Sequence, residues 1–372
     1  MGVALFDTST PLIPLREELR AAVARVLDSE RYILGPEVAA FEREFAAHCG
    51  CAHAVGVANG TDAITIALRA MGVGPGDEVI VPSFTFYASA EAIPPTGATP
   101  VFCDIDPDTY CVTAETVRAA MTSRTRAVIA VHLFGNVAPI AEIGALGVPV
   151  LEDAAQAAGS TTQDGRPGAL GTAGTFSFFP SKNLGGFGDG GMITTSDEQV
   201  AERARTLRFH GSHDKVTYEQ VGYNSRLDEL QAAILRVQLP HLETWAEGRR
   251  TAARHYEASG LGELVTLPEP VSGASPAWHL YVVADPEVER LEAALAAAEI
   301  GCKAYYRLPV HRQQAMREWG AGVELPATDH AAATHLAIPM SPVLTRAQTD
   351  QVVAAVLPSR LGDLSRLTRP SH

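Results

Sequence analysis

Lys182 is the residue of this chain whose type and surroundings most directly suggest chemistry. It stands in residues 175–196, TFSFFPSKNLGGFGDGGMITTS, between an apolar run and a glycine-rich loop. Among 29 lysines and arginines, the only lysines are Lys182, Lys215 and Lys303. A lysine amine can lose its proton and attack a carbonyl carbon, whereas an arginine guanidinium stays protonated. Lys182 is therefore a candidate for Schiff-base chemistry.

Two polar residues that precede Lys182 suit a cationic ring. In PVLEDAAQ, residues 149–156, Asp153 ends a predicted buried strand, where a carboxylate needs a partner. A protonated pyridine nitrogen is one such partner, and Gln156, one helical turn later, can point toward the same site. A simple helix cap at Asp153 remains the alternative interpretation of these residues.

Two other strand ends carry residues suited to a flat, phosphorylated ligand. NGTD at 59–62 follows one predicted strand and begins a helix, whose free N–H groups and dipole suit a phosphate. A helix cap alone is the alternative there. PSFTFYAS at 82–89 brings three aromatic side chains after another strand, where a ring can cover a flat ligand or simply join the core.

Two other motifs do not support the sites that they resemble. GFGDGG at 186–191 matches a dinucleotide-binding pattern, but the apolar run after it predicts a strand where that motif needs a helix. Cys49 and Cys51 form a lone C-x-C pair, which favours packing thiols over a metal site. We therefore expect neither a nicotinamide site nor a metal.

Short apolar runs alternate with helical stretches over the first 200 residues. This order is typical of a mostly parallel sheet covered by helices on both faces. Ligands bind such sheets beyond the carboxyl ends of the strands, where the residues described above are found. The predicted strands span 53–58, 78–83, 99–105, 126–133, 149–153, 174–179 and 191–196.

The second half of the chain predicts a long helix and then a smaller unit. The helical stretch over 226–259 is expected to bend or break at Pro240. A segment rich in Pro, Gly and Ser connects it to the smaller unit. That unit has predicted strands over 277–284 and 300–306 and predicted helices over 286–299 and 345–356. The tail over 359–372 is polar and is expected to be frayed.

Composition excludes several classes of partner. The chain has 372 residues, of which 46% are hydrophobic, and a net charge of −14. Such a charge disfavours binding to nucleic acid or to an anionic membrane, and no apolar run is long enough to span a bilayer. Five cysteines, an odd and small number, suggest a reduced cytoplasmic protein.

Six motifs in order carry a resemblance to a known family. The motifs GTDA, PSFTF, EDAAQ, FSFFPSKN, GDGGM and GYNSRLDELQAA together resemble the DegT/DnrJ/EryC1/StrS family of nucleotide-sugar aminotransferases, which depend on pyridoxal phosphate. The resemblance runs from about residue 14 to residue 356. It is nearest to members that aminate 3-keto-6-deoxy sugars on dTDP, which share FSFFPSKNLGGFGDGG-like and RLDELQAA sequences.

The resemblance also implies a fold. Members have fold type I of pyridoxal enzymes, the fold of aspartate aminotransferase. A mostly parallel seven-stranded sheet lies in a three-layer large domain, expected over 1–240. A smaller C-terminal α/β domain is expected over 241–372, with the long helix near 226–259 bridging the two.

The same resemblance assigns cofactor roles to matching positions. Lys182 would hold pyridoxal phosphate as a Schiff base, Asp153 would pair with the pyridine nitrogen, Gln156 would lie against the ring oxygen, and Phe86 would stack on the ring. The phosphate would be bound by Gly60, Thr61 and Ser177. Asn224, in GYN, would reach the phosphate from the partner subunit, so the active unit would be a homodimer.

Substrate contacts are implied by two further motifs. Lys215, after HGSHD, would contact the pyrophosphate of the sugar nucleotide. Tyr306 and His311 match the family's Y-x-x-P-x-H and would come near the substrate.

The implied reaction moves an amino group from L-glutamate to a keto group, at C3, of a dTDP-linked deoxysugar. The alternatives are a 4-keto or UDP-linked substrate, and a non-catalytic subunit that keeps the fold for binding or regulation. Dehydratases of the family carry histidine in place of the lysine, so Lys182 argues against that reaction.

Overall fold

The computed structural model describes the backbone of residues 2–367 and the side chains up to residue 357. Its strands are β1 (His53–Val57), β2 (Glu78–Pro82), β3 (Thr99–Cys103), β4 (Thr125–Val131), β5 (Val150–Asp153), β6 (Thr161–Thr162), β7 (Ala173–Ser177), β8 (Gly191–Thr195), β9 (Ala274–Ser275), β10 (Tyr281–Ala284) and β11 (His335–Ile338). Its helices are α1 (Arg16–Ser29), α2 (Pro36–Cys49), α3 (Gly60–Ala70), α4 (Ala88–Glu91), α5 (Ala114–Ala120), α6 (Ile140–Gly144), α7 (Glu198–Arg208), α8 (Glu229–Gln238), α9 (Leu242–Ala258), α10 (Val288–Ala297), α11 (Arg317–Gly320), α12 (Pro326–Thr334) and α13 (Arg346–Leu367).

A seven-stranded sheet in the order β1-β8-β7-β5-β4-β2-β3 forms the centre of the molecule. Its strands are parallel except β8, which is antiparallel to both of its neighbours. Successive residues of β2 pack on opposite layers: Val79 joins a core cluster with Leu68 of α3, and Ile80 joins one with Val117 of α5. The predicted α/β architecture with a mostly parallel seven-stranded sheet is confirmed.

The register of the strands brings their carboxyl ends to one edge of the sheet. Asp153 at the end of β5 lies between Val131 of β4 and Thr175 of β7. The chain returns to this edge at Gly191, where a Cβ atom would lie only 2.3 Å from the carbonyl oxygen of Asn59. Only glycine allows so close an approach of two backbones, so the glycine-rich loop after Lys182 is needed for packing.

A second, smaller core lies in the C-terminal part of the chain. β10 and β11 pair antiparallel, and apolar side chains of α9, α10 and α13 pack around them. The predicted strand over 300–306 was wrong, because the segment forms only two isolated bridges, Ile300 with Val3 and Lys303 with Ala337. Tyr306 adopts a positive φ of 64°, which cannot continue an extended strand. Instead β11, for which no strand was predicted, completes the small sheet.

The long helical stretch breaks at Pro240, as predicted. α8 ends at Gln238, a 3-10 turn covers Leu239–His241, and α9 begins at Leu242. Proline has no N–H group for the helical ladder, which explains the break. The predicted domain boundary at this proline stays a prediction. The tail over 359–372 was expected to be frayed. The structure does not describe the side chains of this segment, and from residue 368 on it does not describe the backbone.

The carboxylate of Glu229, at the start of α8, joins two distant parts of the chain. It is buried and accepts hydrogen bonds from the backbone N–H groups of Gly35 (2.8 Å), Glu37 (2.9 Å) and Val38 (2.8 Å). N–H groups in the first turn of a helix have no partner inside the helix, and the helix dipole favours a negative charge there. Glu229 therefore anchors α2 to α8.

We expect Glu229→Ala to destabilise the fold by about 3 kcal/mol, because it leaves one buried and two partly buried N–H groups without acceptors. The free energy of unfolding from urea titration measures the effect. Glu115→Gln, which removes an equal charge from an exposed position on α5, should change stability by less than about 0.5 kcal/mol. Equal stability of the two variants would contradict the anchoring role.

Candidate active site

A cavity of about 970 Å³ opens at the carboxyl edge of the central sheet. Strand ends and the turns after them form one wall, and the chain over 303–308 forms another. The predicted site residues that line it are Gly60, Thr61, Phe86, Asp153, Gln156, Ser177, Lys182 and Tyr306. Residues from five separate segments of the sequence thus meet in one cavity.

Lys182 lies in the loop between β7 and β8, and its backbone N–H donates to the carbonyl oxygen of Phe179 at 2.8 Å. Burial lowers the pKa of its amine to about 8, against the opposing attraction of the Asp153 carboxylate. An amine with such a pKa is partly neutral near physiological pH, which an exposed lysine is not. Lys182 therefore has the acid–base property that attack on a carbonyl carbon requires.

Asp153 is held firmly at the end of β5 and is almost fully buried. The hydroxyl of Ser89 donates to Oδ2 at 2.7 Å, and the backbone N–H of Ala155 donates to Oδ1 at 3.2 Å. These are two hydrogen bonds for four lone-pair sites, so the carboxylate keeps acceptor capacity toward the cavity. A cationic N–H group that enters the cavity can use it.

Gln156 connects two elements that line the cavity. Its Oε1 accepts from the backbone N–H of Phe134 at 2.7 Å, and its Nε2 donates to the hydroxyl of Tyr306 at 3.1 Å. The ring of Tyr306 stacks on that of Phe134 at 6.0 Å with an interplanar angle of 8°. Because Tyr306 is in the left-handed region, these contacts must offset its backbone strain.

The start of α3 forms an anion cradle beside β7. Asn59 caps the helix, since its side chain accepts from the backbone N–H of Asp62 at 2.8 Å. A Cβ atom at Gly60 would lie 2.9 Å from the Cβ of Ser177. Glycine thus lets the helix N-terminus approach the Ser177 hydroxyl, and together they offer N–H and O–H donors to a phosphate.

Phe86 presents an aromatic face to the cavity. Its side chain is 56% exposed, which is unusual for phenylalanine, although its neighbour Phe84 is fully buried. The ring lies 6.4 Å from that of Tyr306. Of the aromatic residues in PSFTFYAS, Phe86 is thus placed to cover a flat ring, and Phe84 belongs to the core.

Three predicted site residues do not line the cavity of this chain. Asn224 forms a bridge with Phe209, and the Lys215 ammonium lies over the Phe209 ring at 4.8 Å. His311 is buried, with its Nδ1 bonded to the hydroxyl of Ser83 at 2.6 Å. Contacts of these residues with cofactor or substrate stay predictions.

The sequence reasoning missed two residues that support the site. Ser89, which holds Asp153, falls in the quoted stretch PSFTFYAS, but no spacing rule relates it to a carboxylate 64 residues later. His279 lines the cavity, and burial together with the nearby cations Lys182 and Arg249 lowers its pKa well below the usual value. The apolar stretch AWHLYVVA, in which His279 lies, predicted only a strand.

Together, the cavity can do three things. It can present a partly neutral amine to a carbonyl group, hold a cationic ring nitrogen against a buried carboxylate, and bind a phosphate at a helix N-terminus. Among the described residues, no group of three or more His, Cys, Asp or Glu side chains is arranged to hold a metal ion. Nor does any helix of that part have the length and apolarity to cross a membrane.

Three relatives match almost the whole chain. A pleiotropic regulatory protein of Geobacillus stearothermophilus is 44% identical, over 96% of this chain and 98% of the relative. A dTDP-3-amino-3,4,6-trideoxy-alpha-D-glucose transaminase of Streptomyces venezuelae is 45% identical, over 95% of both. A UDP-N-acetyl-3-dehydro-alpha-D-glucosamine 3-aminotransferase of Acidithiobacillus ferrooxidans is 42% identical, over 95% of this chain and 97% of the relative.

A solved structure and a family model agree with these relatives. DesV of S. venezuelae, solved in complex with a ketimine intermediate, superposes with a TM-score of 0.93 at 43% identity and covers 96% of this chain and 99% of its own. The model of the DegT/DnrJ/EryC1/StrS aminotransferase family matches residues 14–357. The chain therefore belongs to the DegT/DnrJ/EryC1/StrS aminotransferase family.

Proposed function

We propose that this chain transfers the amino group of L-glutamate to C3 of a dTDP-linked keto-deoxysugar and works as a homodimer. The products are 2-oxoglutarate and the amino sugar nucleotide. The observation that carries the proposal is the Lys182 amine, with its pKa lowered to about 8, in a cavity that also contains the Asp153 carboxylate. The C3 position is supported by the substrate names of two relatives at 42% and 45% identity. The dTDP nucleotide is supported by the second of them, whereas the name of the first is that of a UDP-linked sugar enzyme.

The residues of the cavity fit pyridoxal phosphate, which is the cofactor of this family. Lys182 would hold its aldehyde carbon, Asp153 its ring nitrogen, and Phe86 its ring face. Gly60, Thr61 and Ser177 would bind its phosphate, and Gln156 would lie near its ring oxygen. When bound, the cofactor supplies an aldehyde that captures amines and a protonated pyridine ring that accepts electrons.

Two side chains do the acid–base work in this proposal. Asp153 keeps the proton on the ring nitrogen, because its buried carboxylate favours a cationic partner and is fixed by Ser89 and Ala155. Lys182, as a free amine, would take the proton from Cα of glutamate and return a proton to the former aldehyde carbon of the cofactor. Its lowered pKa lets it act as base and acid at nearly equal cost.

Capture of pyridoxal phosphate by the cofactor-free protein should depend on pH through Lys182. With a pKa of about 8, about one tenth of the amine is neutral at pH 7 and about half at pH 8. The rate should therefore rise about fivefold between these values and level off above about pH 9. The growth of visible absorbance after mixing measures the rate of capture. If that rate continued to rise tenfold per pH unit up to pH 10, the pKa of Lys182 would be that of an ordinary exposed lysine.

The homodimer is proposed because part of the expected site is absent from a single chain. Asn224 and Lys215 lie outside the cavity, in a region where Val216 and Val221 are 81% and 83% exposed. Such apolar exposure is typical of a surface that contacts another chain. In the proposed dimer, Asn224 of the partner subunit binds the phosphate.

Mixing two inactive variants should test this sharing of the site. A heterodimer of Lys182→Ala and Asn224→Ala chains has one site with both defects and one site with none. After denaturation and joint refolding, the mixture should regain about a quarter of the wild-type activity. No regain from a mixture that contains heterodimer would place Asn224 in its own chain's site or outside any site.

A product assay tests the proposed reaction itself. The cofactor-loaded protein is incubated with L-glutamate and, in separate reactions, dTDP-linked 3-keto, dTDP-linked 4-keto and UDP-linked 3-keto sugars. We expect an amino sugar nucleotide only, or fastest, with the dTDP-linked 3-keto sugar, as seen by mass and by the NMR position of the amine. Faster reaction with either other sugar would select the corresponding alternative, and no product with any of the three sugars would favour a binding or regulatory subunit.

A further inference from the structure

Lys303 lines the cavity, but the proposed reaction assigns it no role. It is the first residue of the wall over 303–308, and its backbone is fixed by two hydrogen bonds with Ala337, 3.1 and 2.9 Å long. Its side chain is exposed and lines the cavity. A rigid backbone thus presents a long, mobile cation to the space that the substrates must enter.

The charges around the cavity leave Lys303 without an ion-pair partner among the described residues. The acidic lining residues are Asp62, Asp153 and Asp189, and the cationic ones are Lys182, Lys303 and Arg307. Arg307 is engaged by Glu292 at 2.6 Å and by Glu289 at 3.6 Å. No ion pair joins Lys303 to a described carboxylate, and its ammonium lies 5.0 Å from the centre of the Tyr305 ring.

The Lys303 ammonium can attract an anionic substrate into the cavity. The chain carries a net charge of −14, yet both proposed substrates are anions. A contact with one tyrosine ring stabilises an exposed ammonium only weakly, so the ammonium is available for an anion. Lys303 is therefore the described lining cation that is free to attract and hold a substrate.

The layout of the cavity distinguishes the two anions. Lys182 lies in a desolvated part, whereas Lys303 is exposed, as is Leu308 of the same wall. The amine of glutamate must reach Lys182, which keeps its carboxylates within a few bonds of the desolvated part. In a 3-keto sugar nucleotide the keto carbon must reach Lys182. The diphosphate is attached at C1 of the sugar, so its second phosphate and the nucleoside extend farther from Lys182 than the carboxylates of glutamate do.

We propose that Lys303 binds the diphosphate of the nucleotide sugar and thereby contributes to the selection of nucleotide-linked over free keto sugars. The proposal rests on the proposed function, because it assigns a residue to the substrate named there. The ammonium donates to the diphosphate oxygens and neutralises part of their charge. It takes no part in proton transfer, so its removal should affect binding and leave the chemical steps intact.

Binding to the cofactor-loaded protein tests this without turnover. Calorimetric titration gives the Kd of dTDP, which carries the diphosphate, and of glutarate, which carries the two carboxylates of the donor. For Lys303→Gln we expect the Kd of dTDP to rise about tenfold, as for the loss of one charge-assisted hydrogen bond, and that of glutarate to stay unchanged. Added salt should weaken dTDP binding less in this variant than in the wild type.

Two further variants and a kinetic readout separate this role from a structural one. Lys303→Arg should restore most of the dTDP affinity, and Arg118→Gln, which removes one exposed cation from α5, should leave it unchanged. In steady state, Lys303→Gln should raise the KM for the keto-sugar nucleotide about tenfold and leave kcat and the KM for glutamate within about twofold.

Three results would overturn the proposal. An unchanged Kd of dTDP in Lys303→Gln, with normal binding by the wild type, would overturn it and leave the proposed function standing. A weaker glutarate Kd with unchanged dTDP binding would assign the ammonium to the amino donor. Failure of the wild type to bind dTDP would overturn both this role and the dTDP-linked substrate.

Discussion

Lys182→Ala is expected to abolish the visible absorption of the lysine-bound cofactor and to lower turnover about 10⁴-fold or more. Alanine has no amine to hold the aldehyde carbon, and it also lacks the base that takes the proton from Cα of glutamate. Both functions depend on one atom, Nζ, so no neighbouring residue can replace it. The absorption spectrum and a 2-oxoglutarate assay measure the two losses separately.

Lys182→Arg is the matched variant, since it keeps a cation at the same position. The guanidinium of arginine stays protonated and cannot attack the aldehyde carbon. We therefore expect Lys182→Arg to be as inactive as Lys182→Ala, although it retains the charge near Asp153. Circular dichroism and the thermal midpoint show whether either variant remains folded. Turnover within tenfold of the wild type in a folded Lys182→Ala protein would contradict the assignment.

Asp153→Asn has the second largest expected effect, a fall of about 10³-fold in the rate of the glutamate half-reaction. Asparagine has nearly the same shape as aspartate and can still accept the hydrogen bond from Ser89, but it carries no charge to keep a proton on the ring nitrogen. Rapid mixing with glutamate, followed by the loss of visible absorption, measures the rate. Cofactor binding itself should weaken much less, because the phosphate contacts remain.

A cofactor analogue distinguishes this electrostatic role from a disturbed fold. Pyridoxal phosphate methylated at the ring nitrogen carries a permanent positive charge and does not need Asp153 to stay cationic. It should restore much of the half-reaction in Asp153→Asn. No restoration, in a variant that binds the analogue, would mean that Asp153 acts in another way.

The sequence was informative where a residue and its partners lie in one short element. The carboxylate after the apolar stretch PVLE, the NGTD turn before α3 and the aromatic Phe86 all line the cavity, because parallel strands end at one edge of the sheet. Short apolar runs that alternate with helical stretches predicted the seven strands of the large sheet. Local patterns thus determined most of the architecture of the site.

Long-range contacts could not be predicted in this way. The bond from Ser89 to Asp153, the anchoring of α2 by Glu229 and the pairing of His311 with Ser83 join residues 64 to 228 positions apart. No periodicity relates such positions. The segment over 300–306 reads as a strand because it is apolar, but the left-handed Tyr306 turns it into a wall of the cavity.

Lys303 illustrates the same limit for function. The count of lysines drew attention to all three, yet the sequence alone assigned this one no role. Its proposed role follows from the cavity, where Arg307 is already paired and Lys303 has no ion pair with a described carboxylate. A charge can be related to a ligand only after the neighbouring charges are known.

The visible absorption spectrum of the purified protein tests the central claim most directly. The protein is supplied with pyridoxal phosphate, then with L-glutamate, and then with a dTDP-linked 3-keto-6-deoxysugar. We predict a visible band that Lys182→Ala lacks, loss of the band on adding glutamate, and its return on adding the keto sugar. A wild-type protein that stays colourless throughout would contradict the role of Lys182 and with it the proposed reaction.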